Sequence, residues 1–192
     1  MVKNLLAFLG ALVLIVVVGG YVKFGGMISK VQGLDSGALP AYITMFNNVL
    51  KTGDPAYAMM KEFEVEDDVE NEDVIESIKA LAEEYNMRIV GDTKMFTIPD
   101  AKDDEVKFVE NVSLCSLFIA KKFLNHSRYF GGFMPCRIML VEYGNGKRKL
   151  ITMDLELAIH GGTTLPPEML KLATEVQKAM VEIPKRAAQG DF

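Results

Sequence analysis

The chain holds two cysteines, Cys115 and Cys136, and Met134 stands shortly before the second. Thiols and thioethers are the soft ligands that Cu(I) selects, and His126 adds an imidazole on the same stretch of chain. Copper handling or thiol redox exchange is therefore one chemistry that these residue types allow. Two other readings stand beside it. The pair can be small buried thiols, because the spacing is not Cys-x-x-Cys. It can also be a disulfide, which needs Cα atoms ~4.4–6.8 Å apart and hence neighbouring strands.

The remaining candidates for chemistry are thinner. The 12 methionines are scattered, with no Met-x-x-Met array, and most fall on apolar faces where packing is their use. His126 and His160 each close a predicted element, and neither has a Ser or Asp at a triad spacing. Gly161-Gly162-Thr163-Thr164 precedes the last helix and would offer backbone N–H groups to an anion, but the Gly-Lys-Ser or Gly-Lys-Thr ending of a phosphate loop is missing. No constellation meets the geometric needs of a catalytic site, so the chain reads as non-enzymatic, with no resident cofactor.

Charge narrows the partners. A net charge of -5 and a pI near 5.2 lack the dense positive field that a phosphate backbone requires, which excludes nucleic acid. Every charged side chain from Glu62 to Glu76 is acidic. Such a stretch reads as a solvated edge strand running into a helix N-terminus, where negative charge is stabilising, or else as a site for a cation or basic partner. From Lys121 to Lys149 the balance reverses, and Glu142 alone opposes the basic side chains. A chain polarised in this way suits head-to-tail pairing with its own copy or contact with anionic lipid.

The elements that must position these residues begin with an apolar run. Leu5 to Val22 is uncharged and mostly aliphatic between Lys3 and Lys23. At ~1.5 Å per residue it makes a helix of ~27 Å, close to the hydrocarbon thickness of a bilayer. Tyr21 and Phe24 then fall at headgroup level. A cleaved signal peptide is the competing reading. The length of the run and the lack of an Ala-x-Ala cleavage site favour an uncleaved anchor. The lysines are nearly balanced across the segment, and the short N-terminal tail places the rest of the chain on the periplasmic or outer side of a cell inner membrane.

Residues 25–56 read as a Gly-rich tether and short helices, with Ala41–Lys51 amphipathic and Asp54-Pro55 opening another turn, lying between membrane and domain. Residues 57–187 read as one α+β domain and 188–192 as a tail. Strands are predicted at Lys61–Glu66, around Gly91-Asp92, at Val106–Cys115, and as a hairpin of Ile138–Tyr143 and Lys149–Leu157 about Gly144-Asn145-Gly146. Helices are predicted at Glu72–Tyr85 and Ser116–Leu124, and after Thr164 until Pro184 ends the last one. The order predicts a mostly antiparallel sheet with helices packed on one face.

Val106–Cys115 with the helix behind it, the strand opening Met134-Pro135-Cys136-Arg137-Ile138, Val141-Glu142-Tyr143 with its Gly-Asn-Gly turn, and Leu165-Pro166-Pro167-Glu168 carry a resemblance. Over roughly residues 60–187 the chain resembles the domain of unknown function 302 family. The resemblance implies a compact α+β domain, in bacteria sometimes membrane-anchored, with no agreed reaction or cofactor, and with cysteines at the positions of Cys115 and Cys136. The chain thus reads as a membrane-anchored, single-pass, non-enzymatic binding or assembly module, accessory to a membrane complex. Its partners would be lipid, a membrane protein or its own copy. The alternative is a thiol-redox or copper-handling protein using Cys115 and Cys136, with Met134 and His126 as further ligands.

Overall fold

The computed structural model describes residues 2–191. Its first helix, α1, spans Val2–Gln32 and is almost wholly exposed. It runs through Gly25 and Gly26, where a tether was expected. Each glycine costs only about 1 kcal/mol relative to alanine, which a long helix tolerates because every added residue closes another hydrogen bond. Helix α2 follows at Ala38–Thr52 and stops at Gly53, whose φ of 71° is the left-handed turn that releases a helix C-terminus. The Asp54 carboxylate then accepts from the Ala56 N–H at 2.8 Å, and a single 3-10 turn at Tyr57–Met59 leads into the sheet.

The sheet contains β1 (Met60–Glu64), β2 (Arg88–Thr97), β3 (Val106–Cys115), β4 (Cys136–Tyr143) and β5 (Arg148–Met153). Its order is β1-β5-β4-β3-β2, and every neighbouring pair is antiparallel. The region around Gly91 is one strand, broken in register between Ile89 and Gly91 and between Lys94 and Phe96. Helices α3 (Asn71–Glu84) and α6 (Pro167–Ala187) cover one face and pack on each other. Helix α4 (Leu117–His126) and a 3-10 segment at Arg128–Phe133 bridge β3 to β4. Val74, Ile78, Leu81, Val112, Leu114, Ile138, Leu140, Leu150 and Ile183 form a fully buried core between helices and sheet. Burying each such side chain contributes roughly 1.5–3 kcal/mol.

Two element ends differ from the sequence reading. Strand β5 stops at Met153, and residues expected to continue it form α5 (Glu156–His160). The Asp154 carboxylate accepts from the Glu156 N–H at 3.1 Å, and Leu155 and Ile159, one turn apart, both face the core, so a turn of helix buries more than a strand would. Pro184 does not end α6, which continues to Ala187. Proline's fixed φ suits a helix, and the lost hydrogen bond is offset here because Ile183, Pro184 and Ala187 are all fully buried.

The acidic and basic stretches meet inside the chain. The Arg148 guanidinium donates to the carbonyls of Glu66 (2.9 Å), Asp67 (3.0 Å) and Val69, and Lys149 pairs with Glu62 at 2.9 Å. Residues 188–191 are also tied down, since Glu66 N–H donates to the Ala188 carbonyl at 2.9 Å and the Ser77 hydroxyl donates to the Asp191 carbonyl.

Candidate functional site

Cys136 opens β4 immediately after Pro135, and Ile138 and Leu140 share its face and are fully buried. Leu114, rather than Cys115, stands opposite Cys136 across the β3–β4 ladder, while Cys115 pairs with Arg88. Side chains alternate along a strand, so Cys115 belongs to the other face from Leu114 and Cys136. Both thiols are free and half-buried. Burial pushes the Cys136 thiol up to about 11, with the neighbouring Cys115 adding to the shift, and burial raises Cys115 as well. At neutral pH both are protonated and therefore poor nucleophiles.

The structure brings Cys136 and Met134 together. Both line a small apolar hollow of about 70 Å³, closed by Ile119 and Phe123 of α4, Phe130 and Phe133 of the 3-10 segment, and Val176 of α6. Phe123 and Phe130 meet edge to face at 5.0 Å. His126 stays outside, exposed at the end of α4, its ring 6.4 Å from that of Phe130. Cys115 does not reach this hollow. Among the described residues, no three His, Cys, Asp or Glu side chains are grouped to hold a metal ion.

Phe133 is also a wall of two larger cavities. One, of about 360 Å³, is bounded by Cys136, Met60, Met139 and Met153. The next, of about 490 Å³, lies between α2 and the edge of the sheet, with Ala41, Met45, Met59, Met60 and Leu157 on its walls. Its polar groups are Thr44 and Asn48 of α2, Glu156 of α5 and a Lys61–Asp154 ion pair of 3.1 Å. Asn111, Arg137 and Thr152 give the cavity of about 360 Å³ polar groups of its own, so flexible thioethers, aromatic rings and a few polar groups in each cavity suit a largely apolar molecule with a polar group.

What holds α2 as a wall is a cluster that the sequence did not disclose. The Asp35 carboxylate accepts from the Gly37 N–H at 2.8 Å and from His160 Nδ1 at 2.9 Å. The Gly37 N–H, then Thr164 and His160, hold that carboxyl below its usual range. The approach is close, for a Cβ on Gly37 would stand 3.0 Å from the His160 ring. Asp35 N–H donates to the Gly162 carbonyl at 2.8 Å and the Tyr42 hydroxyl to that of Gly161 at 3.0 Å. The Gly-Gly loop thus presents carbonyls to the α1–α2 connection, where an anion site would have used its N–H groups. Phe133 and Phe130 were also missed. The aromatic density of Arg128–Phe133 beside two glycines was the available signal.

The family model described as a domain of unknown function, DUF302, matches residues 62–186. The crystal structure of an uncharacterized conserved DUF302 protein from Bacillus stearothermophilus is similar at a TM-score of 0.50 and 13% identity, covering 67% of this chain and 98% of that one. At that identity the likeness concerns the fold. No curated protein matches. With the family match extending from within β1 through nearly all of α6, over the sheet and the helices that cover it, this chain belongs to the DUF302 family.

Proposed function

We propose that the protein is a membrane-anchored binding or assembly module with no reaction of its own, accessory to a membrane complex in the cell inner membrane. The anchor is α1, whose Val2–Met27 portion is long and apolar enough to cross a bilayer and, among the described residues, is not buried against the domain. The N-terminal end of α1, bearing Lys3, stays in the cytoplasm, and the domain lies on the periplasmic or outer side. A membrane protein or a second copy of the chain is the expected macromolecular partner.

The observation that carries the binding role is the set of apolar cavities sharing Phe133, which opens beside α2 and so beside the end of the anchor. Ala158 lines two of them. A phenylalanine there would fill the space without removing a polar group. The test is native mass spectrometry and titration with a fluorescent acyl probe on the full chain in detergent. The wild type should bind an apolar molecule and Ala158→Phe should not. Equal behaviour of the two would sink this reading.

Copper handling is the second reading, favoured by the shared placement of Met134 and Cys136 in one hollow. Titration with Cu(I) followed by thiol counting decides it. Stoichiometric binding lost in both Cys136→Ala and Met134→Leu would support it, and binding unchanged by either would remove it.

A further inference from the structure

Helix α2 is two-faced in an unusual sense, since its small residues point inward and its large ones outward. Ala38 and Ala41 are buried against the domain, with Met45 and Asn48 continuing that face along the cavity wall. Leu39, Tyr42, Ile43, Phe46 and Leu50 are between 46% and 67% exposed. Their spacing of three and four residues makes one apolar stripe along the helix. Large apolar residues arranged this way on an exposed helix mark a surface that something covers.

The position of the stripe indicates what covers it. Residues 33–37 alone separate the end of α1 from the start of α2, and a connection of that length reaches no further than ~18 Å. The connection is pinned, because Asp35 and Tyr42 bond to the loop of residues 160–162. Lys23 and Lys30 towards the end of α1 and Lys51 in the last turn of α2 place positive charge before and after the stripe along the chain. Amphipathic helices with aromatic residues and flanking lysines lie in the plane of an anionic bilayer surface with the apolar face ~5–10 Å deep.

We infer that α2 is an interfacial helix, with Leu39, Ile43, Phe46 and Leu50 immersed in the leaflet where α1 emerges. This rests on the reading of α1 as the membrane anchor. Its consequence is that α2 is sandwiched between bilayer and domain, so the cavity of about 490 Å³ behind it sits at the membrane surface, where an acyl chain would enter from the lipid phase.

The chain contains no tryptophan, so each introduced indole reports alone. Phe46→Trp and Val13→Trp, both at exposed sites, would be compared as full chains at high dilution in phosphatidylcholine–phosphatidylglycerol vesicles brominated near the headgroup or near the chain end. The Phe46→Trp emission should be blue-shifted and lose most of its intensity to shallow bromines. Emission typical of an exposed indole, with no quenching, would overturn the inference. Blue-shifted emission without quenching would overturn it too, since protein would then cover the stripe. Val13→Trp tests the anchor separately. Quenching by deep bromines upholds the anchor whatever Phe46→Trp shows, and its absence removes the anchor reading.

Discussion

Burial decides the chemistry of Cys136. A folded thiol that keeps its proton up to about 11, against 9.0 for the ordinary group, binds protons more tightly than the unfolded chain does. Its contribution to stability is therefore complete below pH 9 and lost as pH rises towards 11, by at most roughly 3 kcal/mol. The stability of the wild type should fall over that window, and Cys136→Ala should flatten the curve. At neutral pH, Cys136→Ser buries a hydroxyl and should cost roughly 1–3 kcal/mol, with Ala costing less. Equal losses from Ser and Ala, repeated at Cys115 and no greater in the double mutant, would show instead that the two act as a bonded or ligating pair. Glu110 is another buried titratable side chain, facing Asp92 and Lys94 of β2, with Lys79 and Glu72 of α3 beyond them. Burial first, and then Asp92, raise the Glu110 carboxyl. Burial opposes the charge on Asp92 too, but Lys79, Glu110 and Lys94 outweigh it and lower that carboxyl. Stability linked to Glu110 is thus full in acid and lost as pH rises through its raised value. Urea titrations at acidic and neutral pH should find Glu110→Gln equal to wild type in acid and more stable at pH 7. A loss at pH 7 would mean that the ionised carboxylate stabilises the fold.

At the scale of elements, one side chain organises the acidic segment. Residues 65–70 have no strand of their own, yet three of their carbonyls converge on the Arg148 guanidinium. Removing it as Arg148→Ala strands those acceptors and should cost about 1.5–3 kcal/mol in chemical denaturation. Arg148→Lys should recover little, because an ammonium cannot reproduce a planar fork spread over three oxygens. Full recovery by lysine would show that only charge matters there. The same reasoning explains α5 and the end of α6, where buried Ile159 and Ile183 outweigh local signals for a strand or a proline stop.

At the scale of the molecule, the hydrophobic core runs from Val65 to Ala188 and, among the described residues, includes none of α1 or α2. Residues 57–192 should therefore fold alone, at a size of ~130 residues that supports an independent core. A single cooperative thermal transition in that fragment is the expected result. A soluble fragment without one would make α2, through the contacts of Asp35 and Tyr42, part of the folding unit. Two charge-rich regions that looked available for an external partner are partly used internally, by Arg148 and Lys149.

The sequence by itself determined what depends on neighbours along the chain. The apolar run, the strand at Val106–Cys115, the hairpin about Gly144-Asn145-Gly146 and the opening of a strand at Cys136 all rest on periodicity or turn chemistry read within a few residues. Only the tertiary structure decided what depends on distant segments meeting. It put Asp35 on His160, Arg148 on residues 66–69, and Met134 beside Cys136 but Cys115 on the other face. It also decided which side of α2 is outward, since a stripe of large apolar residues shows that a face is buried somewhere but not against what. Sheet register and loop closure set those meetings, and a one-residue change in register would have reversed the faces of the two cysteines.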